Sequence, residues 1–191
     1  MTEKPLGINL SHHFLLAMPS LKDDHFNGSV VYLAEHSSRG ALGVIINRTI
    51  NLTIGEVFDK ISLTSNDREL SSRLVMQGGP VQTDRGFVLH APKGKWTSTM
   101  KTGGDIYLTS SKDILEACAS GDGPEKMILA LGCSSWDAGQ LEDEIARNAW
   151  LTVKASSEIV FDVPLEERFF RAYGALGTSK LSFLSPDAGH A

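Results

Sequence analysis

The sequence has few cysteines, which argues against a disulfide-stabilised fold and indicates the cellular compartment. Its 191 residues include only Cys118 and Cys133. A chain of this length can bury roughly 70% of its unfolded surface in one domain, so it does not need disulfides for stability. Two cysteines in such a domain favour a reducing compartment over a disulfide scaffold. The sequence therefore predicts a cytoplasmic protein.

Long hydrophobic runs are also missing. No stretch approaches the ~20 consecutive apolar residues that a membrane-spanning helix needs. The short apolar run near the N-terminus is interrupted by His12 and His13, and no small-residue cleavage site follows it. We therefore expect no signal peptide and no membrane partner.

Positive charge is sparse and scattered. The formal net charge is −5, from 18 Lys and Arg against 23 Asp and Glu. Nucleic-acid affinity comes largely from clustered basic side chains that neutralise phosphates. Direct DNA binding is therefore disfavoured. The scattered basic residues are typified by Arg39, Arg48, Arg68, Arg73 and Arg85.

Motifs for metals and nucleotides are absent as well. None of the six histidines falls in an H-E-x-x-H, C-x-x-C or related ligand pattern. The segment 78–86, GGPVQTDRG, lacks the spacing and the following helix of a dinucleotide loop. We expect no metal and no cofactor, and we assign Gly78 and Gly79 to tight backbone turns.

The chain contains more strand patterns than helix patterns, and the two do not alternate one for one. This mixture predicts a single α+β domain over residues 1–191, with residues 1–12 and 184–191 frayed. Two short strands are predicted within 149–163. Other strands are predicted at 14–18, 29–36, 40–48, 73–81, 85–91, 105–111 and 126–132, and helices at 53–61, at 111–120, from about Asp137, and at 165–176.

Two of the predicted helices carry specific local signals. Thr53 followed three residues later by Glu56 forms a capping-box pattern at the start of the first helix. The last helix follows Pro164, and Phe169, Phe170 and Tyr173 form its apolar part.

The segment 132–145, GCSSWDAGQLEDEI, admits a structural and a functional interpretation. As structure, it joins a buried strand to a helix that Asp137 and Gln140 cap. As a site, it places Cys133, Ser134 and Ser135 near a helix N-terminus, which can hold an anion and lower a thiol pKa. It matches neither the G-x-S-x-G elbow nor the papain-type cysteine pattern, so the structural interpretation is favoured.

His90, at the end of the strand pattern GFVLH, is the best candidate base. No Asp or Glu can be assigned as its orienting partner, so no catalytic residue is assigned. A hydrogen-bonded structural role for His90 is favoured, and Arg85 has a surface ion pair as its structural alternative. The candidate ligand-binding set is Arg85, His90, Ser134, Ser135 and Gln140.

Several motifs together resemble the bacterial YqgE/AlgH family. They run in order along nearly the whole chain: FLLAMP (14–19), GALGVIINR (40–48), GGPV (78–81), RGFVLH (85–90), the block 132–145 and the terminal GHA (189–191). Cys133 and Ser135 depart from the family pattern, which commonly has an aromatic residue after Gly132 and a glycine before Trp136. If that glycine's flexibility serves chemistry in the family, the departure weakens a catalytic role here.

The resemblance implies a compact α+β domain, in which a bent, mostly antiparallel sheet forms a barrel-like body with about four surrounding helices. It also implies a role in regulating transcription, a label that the family carries from its association with control of bacterial exopolysaccharide synthesis. It brings no DNA-binding motif, reaction or cofactor.

Three functional hypotheses remain open. The favoured one is a non-enzymatic cytoplasmic protein that acts through a protein partner or a small ligand and affects transcription indirectly. The alternative is an enzyme, or an anion- or small-ligand-binding protein, with a pocket near His90 and the segment Gly132 to Gln140. Direct DNA binding is the third.

Overall fold

A computed structural model describes residues 7–92 and 94–181. Within them the chain forms ten strands and six α-helices. The strands are β1 (His13–Ala17), β2 (Val30–Ser37), β3 (Gly40–Ile45), β4 (Thr49–Thr53), β5 (Leu74–Gln77), β6 (Val81–His90), β7 (Thr99–Gly103), β8 (Ile106–Thr109), β9 (Met127–Asp137) and β10 (Trp150–Lys154). The helices are α1 (Ile54–Lys60), α2 (Arg68–Ser72), α3 (Asp113–Ser120), α4 (Gln140–Ala146), α5 (Ser157–Phe161) and α6 (Arg168–Leu181), with a 3₁₀ turn at Leu165–Glu167 before α6.

The strands form one curled, mostly antiparallel sheet, a half-barrel. Their order is β10-β1-β2-β3-β9-β6-β8-β7, and β4 pairs with β5 beside this path. One pair is parallel, that of β5 with β9. The α+β single-domain fold and the bent antiparallel sheet predicted above are therefore confirmed, with six helices in the described residues where about four were expected.

Strand β9 links the two halves of the sheet. Its first half lies between β5 and β6, with Ala130 opposite both Met76 and Phe87. Its second half pairs with β3, where Trp136 lies opposite Ala41. A strand that is covered on both faces is expected to be continuously apolar, as the sequence of 126–132 is.

Glycines allow the backbone to cross closely where β9 changes partners. The Gly78 carbonyl oxygen accepts a hydrogen bond from the Ile45 amide at 2.8 Å, and the Gly78 amide donates to Leu131 at 2.9 Å. A Cβ on Gly79 would overlap the Cys133 carbonyl, and one on Gly132, whose φ is +78°, would overlap the Gly79 carbonyl. Side chains are therefore excluded from this crossing.

Helix α1 forms as the sequence predicts. The Thr53 hydroxyl accepts from the Glu56 amide at 3.2 Å, and the Glu56 carboxylate accepts from the Thr53 amide at 2.8 Å, which completes the capping box. Val57 and Phe58 are buried against the sheet. The local signal was sufficient here because both partners lie within one turn.

The prediction of two strands within 149–163 is wrong in its second half. Strand β10 is present, but the residues after it form helix α5. The Ser156 hydroxyl accepts from the Ile159 amide at 3.3 Å and begins the helix. Apolar runs this short are ambiguous between strand and helix, and the serine cap decides in favour of the helix.

The predicted apolar part of the last helix is correct only for Phe169, which is partly buried against the core. Phe170 and Tyr173 are 75% and 54% exposed, whereas Ala172 is fully buried. The buried face of α6 instead begins with Arg168, which is only 5% exposed. The aromatic residues predicted one buried face. The observed buried face is instead the one shared by Arg168 and Ala172, which are four residues apart.

The N-terminal segment makes specific contacts before β1 begins. The Leu10 amide donates to His36 Nδ1 at 3.0 Å, and the His12 amide donates to the Leu33 carbonyl at 2.9 Å. Leu10 and His12 fall within the segment 1–12 expected to be frayed, yet both are held against β2. The remainder of that expectation, for residues 1–6 and 184–191, lies outside the described residues.

Trp136 packs as part of the joint between β9 and α4. Its ring and that of Trp150 lie 5.9 Å apart with Phe26 beside them, and both indole N–H groups donate to Glu144 Oε2, at 2.9 and 2.8 Å. One carboxylate on α4 thus satisfies two indoles on different strands. Buried indole donors need such a partner.

The glycine crossing gives a test of the fold. We expect Gly132→Ala to lower the free energy of unfolding by about 3 kcal/mol or more, because it combines an unfavourable positive φ with overlap of the Gly79 carbonyl. Gly139→Ala is the matched control, since Gly139 has φ +80° but open space around it, and should cost only about 1–2 kcal/mol. Urea unfolding of both variants makes the comparison. Equal losses would show that the crossing is not tightly constrained.

Candidate functional site

The segment 132–140 is mostly strand rather than loop. Strand β9 continues through Asp137, and α4 starts only at Gln140, behind Gly139. The predicted cap is therefore half correct: Gln140 Oε1 accepts from the Asp137 amide at 3.0 Å, but Asp137 is not the N-cap residue. Cys133 and Ser134 are buried within the strand, and Ser135 and Gln140 are exposed.

Cys133 does not have the environment of an activated thiol. Burial raises the pKa of the Cys133 thiol, and the nearby Arg85 charge opposes that shift only in part. Burial also raises the pKa of Cys118, to about 11. The expectation that a helix N-terminus would lower the pKa of Cys133 is wrong, because the residue lies well inside β9, before α4.

His90 occupies the end of an ordered hydrogen-bond chain. Its Nδ1 donates to the Ala91 carbonyl at 2.9 Å, so Nε2 is unprotonated and accepts from the Thr109 hydroxyl at 2.8 Å. Thr109 in turn accepts from Thr99 at 2.9 Å. The ring is fully buried, and burial lowers the pKa of His90. These contacts fit the structural interpretation of His90.

Arg85 lies on the surface of β6. Its guanidinium donates to the Gln82 side chain at 3.1 Å and to the Ser110 hydroxyl at 2.9 Å. It also lies 5.6 Å from the centre of the Phe87 ring. Arg85 therefore has neutral partners, and within the described part of the chain it does not form the surface ion pair suggested as its structural alternative.

The structure does not bring the predicted set together. His90 pairs with Met127 at the start of β9, whereas Ser134 pairs with Gly43 seven residues further along. At ~3.3 Å per residue this separates them by about 20 Å along the strand, although its bend shortens the direct distance. Ser134 donates a long hydrogen bond, 3.4 Å, to the Gly78 carbonyl, and Gln140 donates to Glu144 at 3.0 Å.

A different group of residues forms a cavity of about 640 Å³, which we call the Arg168 cavity. It lies over the parallel pair of β5 and β9, between α2 on one side and α5 and α6 on the other. Its volume falls within the range of small-molecule sites. Its lining comprises Thr49, Ile54, Glu69, Arg73, Leu74, Met76, Glu125, Lys126, Met127, Ile128, Leu129, Phe161, Asp162, Leu165 and Arg168.

Arg168 is the unusual residue of this lining. It is 5% exposed, its Nε donates to the Val163 carbonyl at 3.1 Å, and its Nη1 donates to the Ile46 carbonyl. In the described part of the chain no carboxylate lies within ion-pair distance of it, and Nη2 has no acceptor. Burial lowers the pKa of the guanidinium, which nevertheless stays charged at neutral pH.

The other two cations of the lining are paired. Arg73 binds Glu69 at 3.0 Å, and Lys126 binds Asp162 at 2.6 Å. All four of these side chains are at least two-fifths exposed, so the pairs are screened by water. Among residues 7–92 and 94–181, Arg168 is therefore the one cation of the lining that forms no ion pair with an acidic side chain.

Sequence reasoning missed Arg168, although a signal for it exists. Arg168 is three residues after Leu165 and four before Ala172, so it shares one helical face with them. An arginine on an apolar stripe predicts a buried charge. The prediction instead took the neighbouring aromatic residues as the buried part of the helix.

The fold and the cavity define a class: a single-domain α+β protein with a half-barrel sheet and a cavity of small-molecule size. The chain belongs to the AlgH-like family, whose model matches residues 14–180. This confirms the resemblance found from the sequence motifs.

Relatives and solved structures support the same assignment. A UPF0301 protein of Cupriavidus metallidurans is 53% identical, and the match covers 100% of both chains. The solution structure of AlgH from Pseudomonas aeruginosa is 43% identical, with full coverage of both chains and a TM-score of 0.79. A Corynebacterium diphtheriae protein, 19% identical over 83% of this chain and 81% of its own, shares the fold with a TM-score of 0.59.

The described residues contain neither a membrane-spanning helix nor a metal-binding cluster. Over 7–92 and 94–181, no helix has both the length and the apolar character needed to span a membrane. No group of three or more His, Cys, Asp or Glu side chains in the same ranges is arranged to hold a metal ion.

The buried histidine gives a pH-dependent prediction. The pKa of His90 is lower in the folded protein than in the unfolded chain, where histidine titrates near pH 6.5. Its stabilising contribution is therefore full above pH 6.5 and is lost as the pH falls toward the folded pKa, with a slope of up to about 1.4 kcal/mol per pH unit. Urea unfolding of the wild type and of His90→Phe is measured in buffers from about pH 7.5 to about pH 5.5. The free energy of unfolding should fall less steeply with decreasing pH in the variant. Parallel slopes would contradict the lowered pKa.

Proposed function

We propose that this protein is a non-enzymatic cytoplasmic regulator that binds a small ligand in the Arg168 cavity and acts on transcription indirectly, through a protein partner. The observation that carries the proposal is the buried guanidinium of Arg168, which faces the cavity without a carboxylate. A buried charge is costly unless it is paired, so the site favours a bound group that completes the pairing.

The non-enzymatic part is supported by the placement of the candidate catalytic groups. His90 is held neutral between Thr109 and Ala91, and Ser134 lies on a distant part of β9. The alternative, an enzyme or an anion-binding pocket formed by His90 and residues 132–140, has less support because these groups do not face one cavity.

The indirect mode of regulation is supported by the charge and by α6. A net charge of −5 disfavours direct DNA binding. Helix α6 begins at Arg168, and its outer face exposes Phe170 and Tyr173. Exposed aromatic side chains are enriched at protein interfaces, so this face is the candidate surface for the partner.

A titration with benzoate tests binding in the cavity. Benzoate is a small anion with an apolar ring. The NMR signals of the methionine methyl groups report where it binds. Met76 and Met127 line the cavity, whereas Met18 and Met100 do not. In protein labelled with ¹³C at the methionine methyls, we expect the Met76 and Met127 signals to shift with a Kd on the order of 1 mM, about −4 kcal/mol, while Met18 and Met100 stay fixed. Unchanged Met76 and Met127 signals, or equal shifts at all four methyls, would contradict the proposal.

A further inference from the structure

The charge balance of the Arg168 cavity restricts the ligands it can accept. Its cations Arg73 and Lys126 are paired with Glu69 and Asp162. The third acid of the lining, Glu125, is exposed. Among the described residues, a ligand with two negative charges would therefore meet one cation and one carboxylate that form no ion pair, Arg168 and Glu125, whereas a single negative charge would be matched by Arg168.

The hydrogen-bond geometry of Arg168 favours a planar acceptor. A guanidinium carries five N–H donors, of which the Val163 and Ile46 carbonyls take two. Three donors remain, on Nη1 and Nη2. Adjacent donors on these two nitrogens match the two oxygens of a carboxylate in a fork-like arrangement.

About half of the cavity surface is apolar. Met76 and Met127 are buried beside it, and Ile128, Phe161 and Leu165 are partly buried in the adjoining core. These side chains offer no donors or acceptors. The part of a ligand that extends away from Arg168 would therefore contact methyl, methylene and aromatic groups.

We propose that the cavity takes an amphiphilic monoanion: a carboxylate that binds Arg168 and carries an apolar body, which packs over Met76, Ile128 and Phe161. This inference rests on the proposed function and adds the chemical class of the ligand. Arg168 provides the headgroup contact, and Glu125, which forms no ion pair among the described residues, disfavours a second negative charge. The burial of the apolar body supplies the larger share of the affinity.

Four probes with the same eight-carbon chain test which headgroup the cavity prefers. Octanoate, octylamine, 1-octanol and octyl phosphate differ in the headgroup and are titrated against the wild-type protein, with the Met76 and Met127 methyl signals as the readout. We expect octanoate to bind on the order of 10-fold more tightly than the alcohol and the phosphate, since one charged hydrogen-bonded contact is worth about that much. The amine should bind most weakly.

Variants of the wild-type protein then test the headgroup contact. Arg168→Met should weaken octanoate by on the order of 10-fold and leave octanol nearly unchanged. Arg171→Met is the matched control, because it removes a cation of the same helix that lies outside the cavity lining and pairs with Glu158, and it should retain the octanoate affinity. If Arg168→Met does not fold, Arg168→Lys replaces it and keeps the charge without the planar fork.

The outcomes distinguish the two proposals. If none of the four probes shifts Met76 or Met127, both cavity binding and the ligand class are overturned. If octanol or octylamine binds as tightly as octanoate, the cavity binds ligands but the monoanion class is wrong. Tighter binding of octyl phosphate than of octanoate would likewise replace the monoanion by a dianion.

Discussion

The close crossing of Gly78 and Gly79 over Gly132 and Cys133 is the constraint on which the other features depend. Strand β9 runs through both halves of the half-barrel, and it changes partners from β5 to β3 at this crossing. At this change of partners, the Gly78 carbonyl accepts a hydrogen bond from the Ile45 amide, and the Gly78 amide donates one to the Leu131 carbonyl. A side chain at any of the three glycines would force these backbones apart, because its Cβ would overlap a carbonyl oxygen of the opposite segment. The curvature of the sheet, and hence the space enclosed beside it, follows from this approach.

The Arg168 cavity is one consequence of that geometry. Where β9 has β5 as its parallel neighbour, the pair forms the floor of the cavity, and β3 ends nearby because its place beside β9 is taken. The Ile46 carbonyl, just beyond β3, then lacks a strand partner and accepts a hydrogen bond from Arg168. The arginine thus connects α6 to the end of a strand. Its burial follows from the change of β9's partner strands as much as from the helical pattern of α6.

The sequence predicted those parts of the fold that local signals determine. The capping box of Thr53 and Glu56 and the strand patterns needed no tertiary information, and the family motifs identified the architecture as a whole. The second strand expected within 149–163 failed because short apolar runs do not distinguish strand from helix until a cap such as Ser156 is considered. The candidate set grouped His90 with Ser134, but His90 lies on β6 opposite the start of β9 and Ser134 lies near its end, because strand length and register decide that distance. Arg168 was missed because its acceptors, Val163 and Ile46, are assigned only by the tertiary fold.

A buried arginine with carbonyl partners alone has two physical interpretations, and the lining of the cavity separates them. As a purely structural clamp, Arg168 would satisfy the Ile46 and Val163 carbonyls and need nothing else. The charge strengthens these two hydrogen bonds, but a neutral donor could satisfy the same carbonyls at a lower desolvation cost. A retained positive charge, placed at a cavity whose other cations are already paired, also lowers the energy of a bound anion. Because the same residue begins α6, occupation of the cavity would act first on the helix that presents Phe170 and Tyr173 to the exterior.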